Sequence, residues 1–97
     1  MGNYKLSEAC KIDIDEIYEY GIKNFGLAQA QNYLLELHEL FFTLADNVNI
    51  GRDASEFFPL LKRFTYKSHM IFYLQKNSET LIVRVLSQSM DYQLHFN

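Results

Sequence analysis

The 97 residues contain no tryptophan, one cysteine, one proline and four glycines. A lone thiol at Cys10 rules out an internal disulfide framework and fits a reducing compartment. No run approaches the ~18 consecutive apolar residues that would span a bilayer. The opening stretch Met1-Gly2-Asn3-Tyr4-Lys5-Leu6 has neither a charged-then-apolar leader nor a convincing myristoylation pattern. A soluble, cytoplasmic protein with no membrane partner is the expectation. His38, His69 and His95 stand far apart, and no H-x-x-x-H or C-x-x-C spacing occurs, so no metal site is expected. No glycine-rich phosphate loop is present either, and no cofactor is expected. An excess of positive charge is also lacking. The net charge of −3 argues against a protein that coats nucleic acid.

What is present suffices for a core. The chain is 48% hydrophobic and carries seven Tyr and eight Phe, too rich for disorder and long enough for one domain spanning residues 1–97. Its charge is unevenly spread. Residues 1–50 hold three Lys against eight Asp/Glu, whereas residues 51–97 hold six Lys/Arg against four Asp/Glu. Ordinary helix solvation accounts for the first half. A mildly basic sheet that meets an acidic partner is the sharper reading.

Asn3 to Leu6 alternates like a first strand, and Ser7 is suited to cap a following helix. Cys10, Ile14, Ile17, Tyr18, Gly21 and Phe25 then fall within one arc of about 100° on that helix. Asp13, Asp15, Glu16 and Glu19 lie outside the arc, where water would solvate them and no acid–base dyad forms. Gly26 closes the helix. From Leu27 a second helix shows an apolar stripe through Ala30, Tyr33, Leu34, Leu37, Leu40, Phe41 and Leu44, so the two form an antiparallel hairpin. Leu27, Leu35 and Phe42 lie off the stripe and either widen the core face or line a partner groove. Arg52 to Pro59 reads as a polar connector. Strands follow at Leu61–Tyr66, His69–Leu74 and Leu81–Leu86, with a polar loop over Gln75–Glu79 and one or two helical turns after Ser87. The order is β-α-α-β-β-β-α, an α+β layer with a helical hairpin on one face of a largely antiparallel sheet. The other face would carry cations and aromatics with no further element to bury them.

Cys10 on the apolar stripe reads as a buried, inert thiol, and His69 in a strand as a hydrogen-bonded structural histidine. Lys62, Arg63, Lys67 and Arg84 remain, with Tyr66, Tyr73 and Tyr92 near them. Arginine on a sheet suits carboxylates or phosphates. The bland alternative is that Arg84 snorkels or pairs with Asp91, and that Lys62 and Lys67 are solvent charges. The residues alone leave an interaction surface and an anion site both open.

Motif order narrows this. Tyr4-Lys5-Leu6-Ser7, Asp13 to Tyr20, Phe25-Gly26, Gln29 to Tyr33, Ile50-Gly51-Arg52, Leu61-Lys62-Arg63-Phe64, Ser68 to Tyr73, Val83-Arg84-Val85-Leu86 and Met90-Asp91 follow one another in sequence. In that order the chain resembles the ParE toxins of bacterial type II toxin–antitoxin systems, within the RelE/ParE superfamily. Val48 stands where such toxins often have Pro, and Ser87 where they commonly have His, a change that bears on potency. The resemblance implies a non-enzymatic toxin that blocks DNA gyrase and is neutralised by a cognate ParD-like antitoxin, as a homodimer or within a hetero-oligomeric complex. The superfamily also contains RelE-like ribosome-dependent messenger ribonucleases, the alternative activity. For a gyrase or antitoxin surface the resemblance and the charge pattern together nominate Lys62, Arg63, Tyr66, Tyr73, Arg84, Met90 and Asp91.

Overall fold

The computed structural model describes residues 2–96. Strand β1 (Tyr4–Leu6) leads into helix α1 (Glu8–Phe25) and helix α2 (Leu27–Asp46). A 3₁₀ turn at Val48–Ile50 precedes β2 (Arg52–Asp53), β3 (Lys62–Tyr66), β4 (His69–Lys76) and β5 (Glu79–Ser87), and a second 3₁₀ turn spans Tyr92–His95. The five strands form one sheet in the order β1-β5-β4-β3-β2. β1 runs parallel to β5 and every other pair is antiparallel. The expected α+β layering is what the chain adopts. One element departs from the sequence reading: the connector contains β2, a two-residue strand too short to show any periodicity.

Local chemistry fixes the joints. Ser7 caps α1, its hydroxyl accepting from the Cys10 N–H at 2.9 Å and donating to the Val83 carbonyl at 2.6 Å, which ties the helix start to β5. Gly26 takes φ +91°, a conformation that a side chain resists, and turns the chain directly from α1 into α2. The β4–β5 hairpin is tighter than its polar loop suggested. Only Asn77 and Ser78 lie outside the strands, both at positive φ, as a two-residue type I′ turn requires. Leu60 also sits in the left-handed region at φ +67°, at a cost of about 1–2 kcal/mol for a residue with a β-carbon.

Two cores form, one on each face of the sheet. Cys10, Leu37, Phe41, Leu44, Ile71, Tyr73, Ile82 and Val85 fill the space under the helical hairpin. On the opposite face Ala54, Leu61, Phe72 and Leu86 are buried beneath Phe57, Tyr92 and Phe96. The expectation of a bare second face is therefore corrected. The connector and the C-terminal turn fold back over it, with Phe57 and Phe96 edge-on or tilted against one another and against Phe72. A break in register opposite Phe72 and Tyr73 places Ile82 and Val85 on the helix side and Leu86 on the other.

Candidate partner-binding surfaces

β5 is longer than β1, so beyond Ile82 its outer edge has no neighbouring strand. Asp13 of α1 fills that gap. One carboxylate oxygen accepts the Val85 N–H at 3.0 Å, and the two oxygens receive Arg84 Nε and one terminal nitrogen at 2.7 Å each. The Asp13 side chain is 7% exposed and that of Arg84 17%. Hydrogen bonding to Asp13 holds the Arg84 pKa above the ordinary arginine value. A third contact runs from Arg84 to the His95 carbonyl at 3.5 Å. Two sequence expectations are corrected here. Asp13 is not solvated, and the partner of Arg84 is Asp13 rather than Asp91. Asp91 instead caps the last 3₁₀ turn, accepting from the Gln93 N–H at 3.1 Å.

At the opposite corner, α2 meets the β3–β4 turn. Glu36 accepts from Tyr66 Oη and from Lys67 Nζ, both at 2.7 Å. The Lys67 ammonium lies over the Tyr33 and Tyr66 rings, 5.6 and 5.5 Å from their centroids. The Lys67 and Tyr66 hydrogen bonds pull the Glu36 pKa below the ordinary carboxylate value. Tyr33 Oη bonds His69 Nδ1 at 2.7 Å. Burial pushes the Tyr33 phenol up to about 12, with the Tyr66 and Glu36 charges adding to it, and burial alone lowers His69. His69 is thus the hydrogen-bonded structural histidine that its strand position suggested.

This corner closes one side of an apolar cavity of about 200 Å³, walled by Tyr18, Tyr20, Phe25, Tyr33 and Leu34 with Lys67 at its lip. A wider groove of about 540 Å³ follows α1 along the free edge of β5, past Asp13, Glu16, Ser87 and Met90. Tyr18 and Leu34, expected in the core, are half-buried walls of the cavity.

The nominated surface residues do not come together. Tyr66 joins the Glu36 cluster and Met90 borders the groove. Lys62 and Arg63 lie at the far end of β3, opposite Asp53 and Arg52 of β2. Tyr73 is fully buried, its hydroxyl donating to the Val48 carbonyl at 2.8 Å and accepting from the Gly51 N–H at 2.9 Å. It offers no surface, which corrects its nomination. Glu36 was missed because a single acid on a helix gives no signal until the β3–β4 turn reaches it. Among the described residues no group of three His, Cys, Asp or Glu is placed to hold a metal ion. Among them, too, no helix is long and apolar enough to cross a membrane.

A family model described as the ParE toxin of the type II toxin–antitoxin system parDE matches residues 4–92. The chain belongs to the ParE toxin family. Toxin ParE1 of Mycobacterium tuberculosis is 36% identical over 89 residues, 91% of each chain. Toxin ParE1 of Caulobacter vibrioides is 32% identical over 95 residues, 98% of each chain. Toxin ParE of Escherichia coli is 30% identical over 92 residues, covering 94% of this chain and 89% of that one. The fold matches a solved structure titled as a chromosomal ParDE TA system from P. aeruginosa, with a TM-score of 0.76 over 90% of this chain and 96% of that one, at 20% identity.

Proposed function

We propose that this ParE-family toxin acts in the cytoplasm by binding DNA gyrase and blocking it, and that a cognate ParD-like antitoxin silences it. The carrying observation is the family match from Tyr4 to Tyr92. The geometry supports a binding protein over a nuclease. Cleavage of RNA at its 2′-hydroxyl needs a base, an acid and free cations around one phosphate. The larger groove is lined by Asp13, which Arg84 already holds, by Glu16 and by a histidine that burial keeps neutral. A phosphodiester would meet the Glu16 carboxylate there and no cation among the lining residues. The apolar cavity between the helices suits the antitoxin. An amphipathic tail that folds on binding needs an apolar recess with a few polar groups at the rim, which the aromatic walls and Lys67 supply.

Purified gyrase, relaxed plasmid and ATP provide the test. Supercoiling should fall as toxin is added and recover when antitoxin is added in equal amount. Unchanged supercoiling at a large molar excess of folded toxin would overturn the gyrase reading. New message 5′ ends after induction in cells would replace it with ribonuclease activity.

A further inference from the structure

The β2–β3 edge carries charge and strain that the fold does not use. Arg52 and Arg63 stand directly opposite each other in the ladder, so their side chains leave the same face of the sheet. Like charges at that spacing repel. Among the described residues neither guanidinium meets a carboxylate. The nearest acid in the ladder, Asp53, points to the other face and accepts from Ser55 Oγ at 2.8 Å.

The loop that joins these strands is braced. The Ala54 N–H bonds the Leu61 carbonyl at 2.9 Å, and the Phe57 and Leu61 N–H groups bond the Ala54 and Phe58 carbonyls at 3.1 Å each. Ala54 and Leu61 are fully buried, and Phe57 packs on Phe72. From this base Phe58 projects 52% exposed and Leu60 77% exposed. Leu60 is held outward in a left-handed conformation that glycine would adopt freely. Scattered exposed apolar residues are ordinary. Two on one hydrogen-bonded tip, one of them strained, beside an arginine pair that meets no carboxylate among the described residues, are not.

We infer that the Phe58–Leu60 tip, with Arg52 and Arg63 at its base, is the toxin's target-facing surface. It docks on a folded protein that offers an apolar recess bordered by carboxylates. The inference rests on the gyrase reading and assigns the face that gyrase would meet. Charge complementarity commits it to an acidic rim, and the two projecting apolar side chains commit it to a protein. Asp53 and Glu56 in the same segment would oppose a nucleic-acid backbone, as would the net charge of −3. The antitoxin cavity ends at the β3–β4 turn, whereas this tip lies at the other end of β3, roughly 15 Å away at strand rise. A target and an antitoxin would therefore hold different ends of the same strand.

Leu60→Gly separates function from folding, because it removes the side chain and relieves the backbone at once. Leu60→Gly, Phe58→Ser and Arg52→Glu are compared with the wild-type toxin in three assays: thermal melting, titration with purified antitoxin, and inhibition of purified gyrase. The expected result is a Leu60→Gly toxin that melts no lower than wild type and binds antitoxin equally. It should require about tenfold more protein for half-inhibition of gyrase, the loss expected of a contact worth about 1.4 kcal/mol. Arg52→Glu should lose at least as much. If wild type inhibits gyrase and the folded variants inhibit it equally, the tip is not the docking surface and the gyrase reading stands. Loss of antitoxin binding in the variants would reassign the tip to the antitoxin and overturn the inference. Wild-type toxin that binds duplex DNA alone, with binding lost in Arg52→Glu, would replace the protein partner with nucleic acid. Wild-type toxin that leaves gyrase unaffected would remove both readings together.

Discussion

Substitution of Asp13 by Ala should remove a large part of the toxin's stability, although Asp13 is a helix-surface carboxylate by sequence. Three donors converge on that carboxylate at 2.7, 2.7 and 3.0 Å. Truncation to a methyl group would strip the two short hydrogen bonds from the guanidinium, leaving it only the long contact to the His95 carbonyl. It would also orphan a strand N–H in a site almost closed to water. Removing one member of a buried pair costs about 3–5 kcal/mol. Because Arg84 keeps 17% exposure and can recover some hydration, we expect about 3 kcal/mol. That is a large share of the roughly 5–15 kcal/mol available to a domain of this size. At about 4–8 °C per kcal/mol, the melting temperature should fall by about 12–24 °C. Arg84→Ala should be comparably damaging, since it strands the carboxylate. Urea titrations of Asp13→Ala, Arg84→Met and the double variant, followed by circular dichroism at fixed pH, give the coupling between the two side chains. A coupling of about 2 kcal/mol that persists at high salt is expected, because a buried pair is poorly screened. A single-variant loss below about 1 kcal/mol, the worth of an exposed ion pair, with no coupling, would refute the edge-filling role of Asp13.

Three further outcomes follow from the same geometry. His69 is neutral in the folded state because burial lowers its pKa below 6.5, while the unfolded chain takes up a proton near that value. Stability should therefore be complete above about pH 6.5 and fall as pH drops toward the folded pKa, and His69→Gln should flatten the slope. An imidazole that titrates in the folded protein at or above the ordinary value, read by NMR, would contradict this. Gly51→Ala would press its β-carbon into Tyr73 Oη and set it 2.9 Å from the Arg63 carbonyl. It should cost about 1–3 kcal/mol by overpacking, and Tyr73→Phe a similar amount by stranding the Gly51 N–H; a wild-type urea midpoint in both would rule out that clasp. Burial and, to a lesser degree, the Asp13 charge push the Cys10 thiol up to about 12. A thiol reagent at about pH 8 should label it only when denaturant is added, and rapid labelling of native toxin would disprove the burial.

The elements with strong periodicity were legible. The α2 stripe through Leu37, Phe41 and Leu44 and the β-branched run of β5 each declare one face over several turns or residues. Two kinds of feature were not. Asp13 lies only about 40° beyond the apolar arc of α1, and a carboxylate so close to the boundary is read as solvated unless a cation is known to meet it. That cation comes from a residue 71 positions later. The second core escaped notice for a different reason. Phe57 and Phe96 lie outside regular structure and Tyr92 opens a four-residue 3₁₀ turn, segments too short for a period to link an aromatic to the strand that it will cover.

Both misreadings concern the same sheet, and together they change where a partner can bind. With Arg84 held by Asp13 and Tyr73 inside the main core, the centre of the sheet has no free charge to offer. Phe57, Tyr92 and Phe96 cover part of its second face, which leaves the margins of the fold for the proposed partner contacts. The Glu36–Lys67 corner with its cavity lies at one end of β3, and the Arg52–Arg63 rung with its projecting tip lies at the other. A rigid five-residue strand between them keeps the two surfaces at fixed separation. Neutralisation by a partner seated at the first end would then require bulk that reaches past β3, or a contact that alters the tip. Charge at the second end alone would not release it. A short antitoxin fragment that fills only the cavity should therefore bind the toxin and still leave part of its target affinity.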